Sequence, residues 1–293
     1  MKLAAYTWPS QQAMCKAQVV MLHGHGGYAC YEFLKSHGRG RLHTYEGSWV
    51  ETMNQKGLEV HAMDIQSHGL SEGIDPNNRC YFEAFDDLVQ DAVLFLETVR
   101  KMQQDEQQKP LFLVGISMGG CLATLTTHAR PKLVQGVCLL CPMLSLEKQK
   151  KSFPNNVLLP LSRVFDVLTP KAKLGKIGKN VMFPELQAEF ENDDLTYEEN
   201  PRVHVAMEYV RATSFLVKEM PNIQFPFVIF QSVEDTFVDK GGSEELYAKA
   251  SSADKTLRLL EDRCHFLVHE PNNEEVLTEM IDWLEERCGP APS

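Results

Sequence analysis

Residues 111–125 read Leu-Phe-Leu-Val-Gly-Ile-Ser-Met-Gly-Gly-Cys-Leu-Ala-Thr-Leu. An apolar run passes into a helical pattern across Gly-x-Ser-x-Gly, residues 115–119. A strand can enter a helix in so few residues only through a very sharp turn. Side chains two positions either side of the tip would then collide, which accounts for Gly115 and Gly119. The turn leaves Ser117 on strained backbone, its hydroxyl presented at the strand's end and the positive end of the next helix behind it. We therefore read Ser117 as a nucleophile on an exposed elbow. The alternative, a glycine-rich turn packing a helix on a strand, does not require a serine at the tip.

The rest of the chain supplies a sheet for that elbow. Strand patterns fall at 19–22, 58–64, 111–115, 134–140, 226–231 and 256–260, several as continuous apolar runs suited to strands buried on both faces. Helical spacing marks 83–102 (Phe85, Leu88, Val89, Ala92, Leu96, Val99), 119–129, and a last helix through Val276, Leu277, Met280, Ile281 and Leu284. Alternation of the two predicts an α/β class with a mostly parallel central sheet and helices on both faces.

The rhythm breaks between 143 and 225, which we read as a helical cap (lid) inserted into a core made of 1–142 and 226–293. Its charge is segregated: 145–181 carries net +6 and 182–200 net −7. One reading is a solvated face. The other is that the basic half meets anionic lipid headgroups.

An elbow on such a sheet resembles the α/β-hydrolase fold, in which an acid and then a histidine follow the serine along the chain. The run 227–231 leads into Ser-Val-Glu-Asp-Thr-Phe-Val-Asp, and Asp235 is our candidate acid, with Glu234 and Asp239 as competitors. The last strand leads into Glu-Asp-Arg-Cys-His, making His265 the candidate base, with His269 structural. The hole for the developing oxyanion needs two converging backbone N–H groups. Met118 follows the nucleophile, and His25 sits in His-Gly-His-Gly-Gly (23–27) after the first predicted strand. His23 and His25 also form an H-x-H, but zinc needs at least three convergent ligands. We expect no metal and no cofactor.

Composition narrows the rest. The 293 residues are 43% hydrophobic, enough for one large core. The formal net charge of −11 argues against phosphate-driven nucleic-acid binding. Eight cysteines are scattered, and Cys138 and Cys141 form a C-x-x-C inside an apolar strand pattern, read as buried thiols. The first residues lack a signal-peptide core, and no run of about 18 apolar residues could span a bilayer. A cytoplasmic protein with reduced thiols is expected, membrane-associated if the cap touches lipid. Nothing in the sequence sets an oligomeric state.

Five segments together resemble the monoacylglycerol lipase and lysophospholipase branch of the α/β-hydrolases, over roughly 17–287. They are 23–27, Asp-Ile-Gln-Ser-His-Gly-Leu-Ser-Glu-Gly (64–73), Gly-Ile-Ser-Met-Gly-Gly (115–120), Asp235 with Val238, and Cys-His-Phe-Leu-Val-His-Glu (264–270). In the second, Ser67 replaces the branch's first glycine, and His68 is expected to brace the loop. The long segment 33–47 looks like the extended loop of some lysophospholipases from microbial eukaryotes. The resemblance implies a mobile cap over an acyl pocket and hydrolysis of the ester of one long acyl chain. Val157, Leu158, Leu159, Leu161, Phe165 and Leu168 would line that pocket or form the cap's own core. A depalmitoylating thioesterase, a small-ester carboxylesterase and a non-catalytic receptor are the alternatives.

Overall fold

The computed structural model describes residues 1–38, 42–103, 108–147, 164–173 and 178–289. The chain runs through β1 (Ala5–Trp8), β2 (Ala17–Leu22), α1 (Ala29–Phe33), α2 (Trp49–Gln55) and β3 (Leu58–Met63). Next come α3 (Phe85–Met102), β4 (Leu111–Ile116), α4 (Met118–Ala129) and β5 (Gly136–Leu140). Further on, the described residues include α5 (Pro184–Glu191) and α6 (Val203–Glu219). The chain then returns through β6 (Phe227–Ser232), α7 (Lys240–Lys249), β7 (Lys255–Leu260) and α8 (Asn273–Glu285).

Among the described residues, seven strands form one sheet in the order β1-β3-β2-β4-β5-β6-β7, with only β1 antiparallel. This is the mostly parallel α/β sheet expected from the sequence. Strands β2, β4, β5 and β6 are buried at every residue, which is why they lack polar alternation. Six strands match the sequence reading with ends moved by one or two residues. Strand β5, for example, starts at Gly136 opposite Phe112, because a turn closed by the Leu133 N–H to Arg130 carbonyl bond precedes it.

Helices cover both faces. α3 and α4 pack on each other and on α6, while α2 packs on α8, where Trp49 Nε1–H donates to Asn273 Oδ1 at 2.6 Å. The buried stripe Phe85, Leu88, Ala92, Leu96 and Val99 recurs every three to four residues, as a core-facing helix requires. Asp86 and Asp87 at its start and Arg100 and Lys101 at its end complement the helix dipole. Strand order reverses between β2, which continues to β3 on one side, and β4, which continues to β5 on the other. Such a switch point opens a crevice at the C-terminal strand ends. The two loops that carry the elbow and the oxyanion turn start there.

Between β5 and β6 the described residues form helices and one isolated bridge, Lys173 with Arg202. Helix α6 buries Val203, Val205, Tyr209, Ala212, Thr213 and Leu216, whereas α5 buries none of its residues. Three lysines of the basic stretch are paired: Lys171 with Asp75 at 2.5 Å, Lys179 with Glu191 at 3.1 Å, and Lys173 with Glu199. Phe165 is 44% and Leu168 71% exposed; Val157, Leu158, Leu159 and Leu161 lie outside the described residues. The 33–47 segment is pinned by paired backbone bonds between Lys35 and Thr44. It is fastened to the α5 region by Ser36 Oγ–H donating to Glu189 at 2.6 Å and by His43 Nε2 against Asp193 at 3.0 Å.

Candidate active site

Ser117 stands between β4 and α4 with φ 53° and ψ −117°, a conformation that penalises any residue with a Cβ. Surrounding bonds hold it there. Its N–H donates to the Leu140 carbonyl at 3.1 Å, and its own carbonyl accepts from Gly120 at 2.9 Å and Met143 at 2.8 Å. A Cβ on Gly115 would lie 2.3 Å from the Gly119 carbonyl oxygen, and one on Gly119 2.3 Å from that of Leu22. The glycines of the motif are thus steric necessities of a strand, an elbow and a helix packed against β2.

The turn after β2 lies over the elbow: a Cβ on Gly24 would sit 3.2 Å from that of Ser117. His23 anchors it with both ring nitrogens. Nδ1–H donates to the Gly24 carbonyl and Nε2 accepts the Ile65 N–H, each at 2.8 Å. Full burial lowers its pKa to about 4, so it is neutral in this role. His25 meets the hydroxyl of Tyr209 at 2.7 Å through Nδ1, and the same hydroxyl donates to Met118 Sδ at 3.0 Å. Tyr209, on α6, therefore ties together the two residues whose backbone N–H groups are the candidate oxyanion donors. Behind the turn lies Glu32, whose carboxyl burial raises to about 7 against the lowering charge of His265.

Asp235 follows β6 on a loop. Its Oδ1 accepts the Phe237 and Val238 N–H groups at 2.8 and 3.0 Å, and its Oδ2 meets His265 Nδ1 at 2.8 Å. Both side chains are almost wholly buried. Burial would push the Asp235 carboxyl up, but the facing imidazole and the two N–H donors hold it below the usual range. For His265, burial disfavours the cation, but Asp235, with Glu32 and Glu270 beyond it, raises the pKa above the ordinary value. Phe237 stacks on the His265 ring at 4.6 Å between centroids. Of the competing acids, Asp239 caps α7 by accepting the Gly241 N–H at 3.1 Å, and it is Asp235 that reaches His265. His269 is buried against Tyr31 and lowered to about 4. The described residues give Ser117 Oγ no hydrogen bond.

Two supports escaped the sequence reading besides Tyr209 and Glu32. Glu270, fully buried, accepts the N–H groups of Cys264 at 2.9 Å and Phe266 at 2.8 Å, clamping the backbone either side of His265. Its signal was present as the final residue of the 264–270 segment. Asp64 accepts from Ala29 N–H, Leu70 N–H and the Tyr6 hydroxyl, all at 2.9 Å, so it ties the 64–73 loop to β1 and α1. His68 braces that loop, its Nδ1–H donating to the Gln66 carbonyl at 2.8 Å.

The sheet, its switch point and the elbow make this chain an α/β-hydrolase. It belongs to the family described as Serine aminopeptidase, S33, which matches residues 14–272. It is similar to monoglyceride lipase of Homo sapiens, 30% identical over 87% of this chain and 82% of that protein. It is also similar to caffeoylshikimate esterase of Arabidopsis thaliana, 29% identical over 93% and 78% respectively. Among solved structures, a soluble variant of Saccharomyces cerevisiae monoglyceride lipase shares the fold with a TM-score of 0.77 at 19% identity, covering 98% of this chain and 92% of that one. Paleococcus ferrophilus monoacylglycerol lipase does so with 0.75 at 21%, covering 98% and 100%.

Proposed function

We propose that this chain is a serine hydrolase cleaving the carboxylic esters of single-acyl lipids, monoacylglycerols or lysophospholipids, through an acyl-enzyme. The observations that carry the reading are the buried Asp235–His265 pair on the loops after β6 and β7 and the strained Ser117 elbow after β4. The human relative's name, monoglyceride lipase, favours the lipid ester over other esters. Ser117 attacks the carbonyl as His265 takes its proton, and the N–H groups of His25 and Met118 receive the oxyanion. His265 then protonates the leaving alcohol, and water repeats the cycle. Asp235 fixes one imidazole tautomer and stabilises the imidazolium; it does not take the proton.

Residues 143–225 act as the cap. The exposed Val164, Phe165, Val167 and Leu168 suit peripheral contact with a lipid surface, and a membrane-associated location follows from that reading. No described helix is long and apolar enough to cross a membrane. The test is a panel of esters varied in acyl length and headgroup, run beside fluorophosphonate labelling of Ser117. Rates should rise with acyl length. Equal rates on acetyl and long-chain esters would overturn the acyl-lipid reading, and absence of labelling would overturn the nucleophile.

A further inference from the structure

Beside the oxyanion turn lie three side chains with donor atoms that the proposed mechanism leaves unused: His25, His68 and Cys80. The His68 Nδ1 partner is a carbonyl, which only accepts, so Nδ1 holds the ring proton and Nε2 a lone pair. That Nε2 is enclosed and has no hydrogen-bond partner. His25 Nδ1 is taken up by the Tyr209 hydroxyl at 2.7 Å, which leaves Nε2 as the nitrogen open to a ligand. It too is enclosed and without a partner. Two enclosed, unpartnered imidazole nitrogens on rings whose centroids are 5.7 Å apart call for an explanation. Cys80 completes the group. It is a buried free thiol at φ 58°, packed against the Gly26 backbone. One donor atom from each of the three residues lies within 4.8 Å of the others. The sequence's H-x-H does not make this site, because both nitrogens of His23 are already engaged.

We propose that His25, His68 and Cys80 form an inhibitory binding site for a thiophilic divalent cation, zinc being the natural occupant. Two imidazole nitrogens and one sulfur are a ligand set that zinc takes with a water in the fourth place. Bonds of about 2.0–2.3 Å would draw the donors together by about 1 Å, within reach of side-chain rotation. On binding, the Cys80 S–H bond breaks, its proton leaves to water and a Zn–S bond forms; no electron is transferred. Drawing the His25 ring toward His68 displaces the backbone N–H assigned to the oxyanion and strains the Tyr209 link to Met118. The inhibition therefore rests on the proposed function, whereas the binding does not.

Cobalt(II) reports binding independently of turnover, through thiolate-to-cobalt charge-transfer absorption. The intact protein should develop that band with one equivalent of cobalt, and Cys80→Ser should lose it. Zinc should lower kcat reversibly with EDTA. Cys80→Ser, with basal activity retained, should need at least roughly 10-fold more zinc. Cys80→Ala serves if the serine variant fails to fold. An unchanged cobalt spectrum or unchanged zinc inhibition in a folded Cys80 variant overturns the proposal. A second group, Cys141, Asp235 and His265, is equally close-set. If Cys141→Ser abolishes zinc inhibition while Cys80→Ser does not, zinc acts at the acid–base pair and the proposal falls. A Cys80-dependent cobalt band without zinc inhibition overturns the inhibitory role, and with it the assignment of His25 to the oxyanion.

Discussion

Asp235→Asn is the substitution whose effect the geometry constrains most. The two backbone N–H groups of Phe237 and Val238 point at Oδ1. An asparagine must therefore place its carbonyl oxygen there and turn its NH₂ toward His265 Nδ1. Facing a donor, Nδ1 becomes the acceptor, and the ring proton moves to Nε2, where it blocks uptake of the Ser117 proton. Flipping the amide would restore the tautomer but set NH₂ against two N–H donors. At about 1–3 kcal/mol for each unsatisfied donor, the flip costs roughly 2–6 kcal/mol. Residual activity through flipped molecules should then be lower by roughly 30- to 30,000-fold. A loss of about 10⁴ in an analogous protease lies inside that range. The assay is kcat on a chromogenic ester, with a thermal melt to show that the fold persists. Asp239→Asn should keep its cap, since asparagine caps about as well as aspartate, and should retain most of the rate. Glu234→Gln should behave likewise. Asp235→Asn within about three-fold of the parent, or Asp239→Asn as crippled as Asp235→Asn, would refute the reasoning.

Ser117→Ala should reduce kcat by roughly 10⁶ while the protein still folds; turnover in a clean preparation would remove Ser117 from the mechanism. The raised His265 pKa means the imidazolium persists to higher pH than in a free histidine. kcat/KM should therefore rise with pH with a midpoint above about 6.5, and a midpoint clearly below that would contradict the Asp235 pairing. Glu270→Gln replaces one carboxylate oxygen, leaving the Cys264 or Phe266 N–H facing a donor. It should cost about 1–3 kcal/mol in urea unfolding, and no change in midpoint would show that the clamp is slack. Chelators should not lower activity, because the proposed mechanism routes no step through a metal; loss with EDTA and restoration by zinc would reverse that expectation.

Signals that are local in sequence were legible: the continuous apolar strands, the α3 stripe and the steric demand for Gly115 and Gly119. Strand β1 was not, because an edge strand of four residues, Ala5-Tyr-Thr-Trp, needs no apolar run and is defined by its partner, in the register Ala5 opposite Met63. Asp235 and His265 were findable because loop residues after successive strands converge at one sheet edge. Tyr209 was not, since on an amphipathic helix it reads as another core position, and its hydroxyl matters only through His25 and Met118. Ser67 replaces a glycine of the related pattern and takes φ 66°, the conformation that glycine serves. The cost is offset in part by its hydroxyl, which accepts the Tyr81 N–H at 3.2 Å and donates to the Asn78 carbonyl at 3.3 Å.

The packing divides the inserted segment differently from its chain order. Helix α6 follows the break in the strand–helix rhythm, yet it buries one full face and packs on α3 and α4, the layer that also supports the elbow. Helix α5 has no buried residue and is held through exposed or partly buried bonds to the 33–47 segment and through the Phe190 ring against Tyr31 and Phe266. Bonds of that kind contribute little each and exchange readily with water. Moving α6 would instead expose Val205, Ala212 and Leu216 and break the Tyr209 link between His25 and Met118. Under the proposed function, a cap that admits an acyl chain would open at α5 rather than at α6. The oxyanion turn has one brace on α6, Tyr209 against His25, and a second just after α5, where the Tyr197 N–H donates to the Gly26 carbonyl at 2.8 Å.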